Sequence, residues 1–287
     1  MLEERKLATI LFADIVGSTT LAGQHDGVSQ GGATWTCRIA LLKIHRGAFS
    51  AASADLDEVA SIIDTSRSRY EQTYRLEALA LLARVVGQVG EALQYGTEHL
   101  AVAEEIGFPG GIAGGCWSLG VAFLQAADYE GARSALQRSL EVLEPADRGT
   151  RPRVLADLAR ADLGLDQIDA ARSRLEEAEA TVLPWAAETL LGVRMTAGLV
   201  AARLGDSAGA EARFREAIDG IASTQFVAET ALARLAFARF LIDRKRTDEA
   251  RAQLVAARGV FSDPLAFRRR DEIDALLHEC ELINATG

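Results

Sequence analysis

Five alanines constrain this chain more than any other feature. Ala92, Ala132, Ala171, Ala210 and Ala250 recur at intervals of 40, 39, 39 and 40 residues, each near the start of a similar helical phrase. The phrases run GEALQYGTEHL from Gly90, EGARSALQRSL from Glu130, DAARSRLEEAE from Asp169, AGAEARFREAI from Ala208 and DEARAQLVAAR from Asp248, so one structural unit has been copied and has diverged. Twelve residues before each alanine stands another small residue, in order Ala80, Gly120, Ala159, Gly198 and Ala238. Two helices of a hairpin can approach closely at such a pair. A repeat array grows by copy number, so 287 residues need not imply the two domains that length alone would suggest.

Hydrophobic residues make up 49% of the chain and aromatics only 6%, so a core must be built from Ala, Leu, Val and Ile, which suits close-packed helices. The five prolines, at 109, 145, 152, 184 and 264, fall between the expected hairpins or at helix starts, where a missing N–H costs little. The expected fold is all-α.

From Trp35 onward the pattern alternates helix, short turn, helix, longer turn. The clearest unit has helices at Gly111 to Ala126 and Tyr129 to Glu144, stopped by Pro145. Further units are expected at Arg69 to Gly107, Pro152 to Leu183, Pro184 to Ile221 and Phe226 to Phe261. The residue four past the alanine is large in most of them, as in Leu136, Leu175, Phe214 and Leu254, but Gly96 makes the Arg69 unit looser. A further unit over Trp35 to Ser68 takes Gly47 as its small residue and Val59 as its anchor, at a spacing of 33 to Ala92. Ser262-Asp263-Pro264 then opens a final helix to Ile283 that would cap the stack.

Leu119-Gly120, Phe123, Ala132 and Leu136 stand in the order and spacing of the tetratricopeptide signature. The chain from about residue 35 to 287 resembles the longer, degenerate repeats of that type in bacterial signalling ATPases and transcription regulators. The resemblance implies a right-handed α-α superhelix of about six hairpins plus a capping helix over residues 31–287. It also implies that first helices line a concave groove. By position that groove holds Trp117, Val121, Arg160, Met195, Arg203, Leu235 and Arg239. Arginines beside a tryptophan could hold an acidic or aromatic segment of a protein or peptide, or could pair with acids on neighbouring helices.

The head of the chain reads differently. RKLATILFADIVGSTTLA, residues 5–22, is an apolar strand ending in aspartate, followed by Gly-Ser-Thr opening a helix. This resembles the opening of class III nucleotide cyclases. The resemblance implies that Asp14 would bind metal, Ile15 would offer a carbonyl to it, and Gly17, Ser18 and Thr19 would lie against a triphosphate. The rest of a cyclase domain is missing from the pattern. Its second metal aspartate belongs in a Gly-Asp turn, yet the only such pair, Gly205-Asp206, falls in a helical repeat, and Asp55 and Asp57 lie in helical sequence. Residues 1–30 are therefore expected to be a cyclase-like remnant with a short strand, and Mg²⁺ and nucleotide matter only if that head works.

A net charge of −10 argues against nucleic-acid binding, which needs clustered Lys and Arg. The basic runs Arg67-Ser68-Arg69, Arg244-Lys245-Arg246 and Arg268-Arg269-Arg270 read as solvated helix ends or faces. Three dispersed cysteines make no disulfide or zinc framework, and the histidines His25, His45, His99 and His278 show no metal spacing. Gly110 to Gly115 lacks the strand and Gly-Lys-Ser of a phosphate loop. No stretch approaches the roughly 20 apolar residues of a membrane span, and Glu3 and Glu4 do not suit a secretory leader, so a cytoplasmic protein is expected. The functional expectation is a non-catalytic interaction module for a protein or peptide, derived from a cyclase-type signalling regulator. A nucleotide cyclase and a ligand-sensing repeat regulator are the alternatives.

Overall fold

The computed structural model describes residues 31–221 and 224–286. The cyclase-like head, with Asp14, Ile15, Gly17, Ser18 and Thr19 and the expected strand, lies outside the described residues. Among the described residues every regular element is helical. Six hairpins follow one another: α1 (Gly31–His45) with α2 (Phe49–Ser66), α3 (Arg69–Val86) with α4 (Val89–Glu105), α5 (Pro109–Gln125) with α6 (Tyr129–Val142), α7 (Arg151–Gly164) with α8 (Ile168–Thr181), α9 (Ala187–Arg203) with α10 (Ser207–Asp219), and α11 (Val227–Ile242) with α12 (Thr247–Val260). A 3₁₀ turn, Pro264–Ala266, leads into α13 (Phe267–Thr286). This is an α-α solenoid.

The hairpin turn explains the repeat. Five residues before each anchor alanine the backbone is left-handed, at Gly47, Gly87, Ala127, Asp166, Gly205 and Lys245, with φ from 57° to 87°. The N–H of the next residue then reaches back to the carbonyl five positions earlier, as in Gln88 to Ala83 (2.8 Å), Asp128 to Phe123 (3.0 Å) and Arg246 to Leu241 (3.0 Å). That bond is the signature of a Schellman cap, which satisfies a carbonyl orphaned at the end of the first helix. Asp128 and Asp206 then cap the second helix by accepting from the N–H of Gly131 and Gly209, each at 2.9 Å.

The first hairpin corrects the register read from sequence. Gly47 occupies the left-handed turn rather than the first helix, so the anchor of this unit is Ala52 and its small partner is Ala40, both fully buried. Ala52 precedes Ala92 by 40 residues, and the period holds through all six hairpins. Val59 lies seven residues, close to two helical turns, beyond Ala52 and therefore shares its buried face, which is why it passed for the anchor. Leu56 fills the large position and is fully buried.

The small column does what its spacing implies. A Cβ added to Gly120 would stand 2.6 Å from Leu136 Cγ, so α5 and α6 pack at a distance that only glycine permits there. Gly96, where other units carry a large residue, lets α4 meet the next hairpin, since its Cβ would come within 3.1 Å of the Leu119 backbone.

The array is not an open stack. Each first helix touches the next one around, and α11 returns to touch α1 and α3, so the first helices form a closed inner ring with the second helices outside it. The closure is a continuation of the core. One buried cluster joins residues of α1, α2 and α3 to residues of α10 to α13. Phe49 stacks on Phe261, and Ser50 donates from N and Oγ to Asp263 at 2.8 and 2.6 Å. The helix expected to cap the stack instead bridges its two ends. Arg269, read from sequence as part of a solvated run, is 7% exposed and donates to the carbonyls of Arg84 and Val85 at the end of α3, at 2.9 and 3.1 Å.

Candidate functional site on the inner helix ring

Because six first helices face one axis, the polar side chains they aim inward are gathered into one cluster. Trp117 of α5 donates its indole N–H to Asp157 of α7 at 2.9 Å. The other Asp157 oxygen accepts from Arg160, also at 2.9 Å. Arg153 of α7 lies over the Trp117 ring at 3.8 Å and pairs with Glu188 of α9 at 2.7 Å. Arg84 of α3 stands 6.0 Å from the centre of the same indole. At the seam of the ring, His45 of α1 donates from Nδ1 to Oε1 of Glu229 on α11 at 2.6 Å, and its ring meets Phe226 edge-on.

The electrostatics follow from burial and pairing. Burial alone would push the His45 pKa down, but the charge and hydrogen bond of Glu229, with Glu188 nearby, outweigh it and leave the value raised. Glu188 shows the reverse balance: burial raises its pKa, while Arg153, His45 and Arg84 more than offset that, and the result is lowered. Arg84 is the exception in the cluster. Burial, then the neighbouring Arg153, lower its pKa and outweigh the opposing pull of Glu229, Glu188 and Asp157; among the described residues its guanidinium makes no hydrogen bond and has no carboxylate at ion-pair distance.

The residues expected in the groove divide into two groups. Trp117 and Arg160 meet on Asp157. Met195 is half-buried on α9 and packs on the main core cluster. Arg203, the last residue of α9, is ion-paired with Asp166 in the α7–α8 turn, and Arg239 of α11 donates to Glu272 of α13 at 2.8 Å. All three arginines are thus held by carboxylates, but only Arg239 pairs with an acid on a neighbouring helix; Asp157 is on the same helix as Arg160 and Asp166 lies in a turn. Arg84, Arg153, Glu188, Glu229 and His45 did not emerge from sequence. Glu188 and Glu229 lie in the first turns of their helices, where acids ordinarily complement the helix dipole, and His45 reads as the basic end of α1. Only ring closure sets them together.

No protein-family model matches the chain, and no curated protein matches it in sequence. Solved structures do share its fold. The apo form of RapI superposes with a TM-score of 0.67 at 12% identity, over 94% of each chain. NprR in complex with its cognate peptide NprX gives 0.61 at 16% identity, over 85% of this chain and 71% of that one. A Rap protein complexed with Competence and Sporulation Factor gives 0.55 at 12% identity, over 88% and 74%. At these identities the likeness is one of fold alone, an α-α solenoid of helical hairpins. No helix among the described residues is long and apolar enough to cross a membrane.

Proposed function

We propose that this chain is a non-catalytic helical-repeat regulator whose inner ring receives a short peptide or extended protein segment carrying a carboxylate. The observation that carries this reading is Arg84. This guanidinium stands on the inner wall beside a second arginine, with Glu229, Glu188 and Asp157 acting on it only from beyond bonding distance, so its hydrogen-bond donors are open to a ligand carboxylate. Trp117 gives that ligand an aromatic face already fixed by Asp157 and stacked on Arg153. A carboxylate can accept two parallel bonds from one guanidinium, which suits orientation as well as affinity.

The fold shared with NprR, solved with a cognate peptide, is consistent with this reading. Arg160, Arg203 and Arg239, already held by Asp157, Asp166 and Glu272, serve in this account to shape the wall, and Met195 to pack it. The opening ADIVGST, Asp14 to Thr19 included, enters as ancestry from a cyclase-type signalling regulator, without a nucleotide or Mg²⁺ role, and the working compartment is the cytoplasm. Titration of the full chain with short acidic peptides tests the reading: binding should be lost in Arg84→Gln and kept in Arg203→Gln.

A further inference from the structure

His45 ends α1, Glu188 lies in the first turn of α9, and Glu229 lies in the first turn of α11. Closure of the ring brings one donor atom from each within 4.8 Å of the other two. His45 and Glu229 are buried, and Glu188 is half-buried. Glu229 spends one oxygen on His45. Its other oxygen, Oε2, is sealed from solvent and has no hydrogen-bond partner, although the residue is only 6% exposed. A buried carboxylate oxygen without a donor bears its whole desolvation penalty, so it calls for an explanation.

We propose that His45, Glu188 and Glu229 form a binding site for a first-row divalent transition ion, with Zn²⁺ the best match. The donor set is one imidazole nitrogen and two carboxylates. Ca²⁺ and Mg²⁺ prefer oxygen ligands throughout and more of them, and soft Cu(I) wants thiolates, whereas imidazole with carboxylate suits Zn²⁺. Three protein ligands leave the fourth tetrahedral position to water. Ligand bonds of about 2.0–2.2 Å place tetrahedral donors roughly 3.3 Å apart, inside the observed spread, so an ion replacing the His45–Glu229 hydrogen bond could take Glu229 through the unpartnered Oε2 with a side-chain shift of about an ångström. Arg153, bonded to Glu188 Oε1 at 2.7 Å, leaves the second oxygen for the ion and holds the carboxylate in orientation, as supporting residues around metal ligands do. An ion here would pin α1 to α9 and α11 and so fasten the ring at its seam. The site shares Arg153 with the Trp117 cluster, but its ligands are other residues and its occupancy needs no peptide.

The test uses the full chain stripped with a chelator. Calorimetric titration with Zn²⁺ should show one equivalent bound, with a rise in Tm as free Zn²⁺ exceeds Kd. Co²⁺ in its place should give the visible absorption of a tetrahedral nitrogen–oxygen site without thiolate charge transfer. Glu188→Gln and Glu229→Gln should keep their helical circular dichroism and bind at least about tenfold more weakly, a loss that even supporting residues outside the ligand set produce. His278→Ala, which removes the exposed His278–Glu281 pair, should bind normally. Equal Zn²⁺ affinity in both Gln variants would overturn the site. So would a wild-type chain without Co²⁺ absorption at one equivalent, whatever the variants do.

Discussion

Phe49 and Phe261 stack with ring centroids 5.9 Å apart and planes 12° from parallel, and through them the first hairpin is joined to the last. Both side chains are fully buried. An open repeat array unfolds by fraying from its ends, because each unit contacts only its neighbours. A closed ring has no free end. Phe261→Ala should therefore cost about 3–5 kcal/mol in urea unfolding and should also strip hydrogen-exchange protection from α1 and α2, far away in sequence. Protection lost only around α12 and α13 would show that the ring is not closed in solution.

The acid limb of stability should carry a contribution from His99. This imidazole is 2% exposed, its Nδ1 has no partner, and burial lowers its pKa to about 4. In the unfolded chain the group titrates near 6.5, so between about pH 6.5 and 4 the unfolded state binds more protons. Stability is then lost as pH falls, by about 3 kcal/mol from this group at pH 4. His99→Leu should flatten that limb relative to wild type. Parallel pH profiles for the two proteins would contradict the assignment.

Two small substitutions in one hairpin should act in opposite directions. Gly120→Ala drives a methyl to 2.6 Å from Leu136 Cγ and should cost about 1–3 kcal/mol. Ala127 sits at φ 57°, where a side chain costs roughly 1–2 kcal/mol, so Ala127→Gly should stabilise by up to about 1 kcal/mol after the entropy of the unfolded glycine is subtracted. Differential scanning calorimetry reads both. A stabilising Gly120→Ala would place α5 and α6 further apart than described.

The alanine and small-residue columns are local, so helices, turns and period could be read directly. The slip from Ala52 to Val59 arose because seven residues return to almost the same helix face, while the left-handed turn that breaks the tie is visible only in the backbone. Closure was illegible for a different reason: it depends on a small rotation accumulated over six hairpins, which no single residue encodes. Everything that closure assembles was hidden with it. Arg269 looked like surface, Glu229 like an ordinary first-turn acid, and His45 like a helix end.

The cyclase-like opening should be catalytically silent. Purified protein given ATP or GTP with Mg²⁺ or Mn²⁺ is expected to yield no cyclic nucleotide. Production that disappears in Asp14→Ala would restore the enzyme reading.

Arg84 is expected to be the residue through which the inner ring recognises a carboxylate. The direct measurement is selection of random short peptides against wild-type protein and against Arg84→Gln, with circular dichroism confirming that both are folded. The wild type should enrich peptides sharing an acidic residue or a free carboxyl end, whose affinities fall at least about tenfold on Arg84→Gln, as expected for a charge-assisted bond. Enrichment of the same peptides by both proteins, or of none by the wild type, would contradict it.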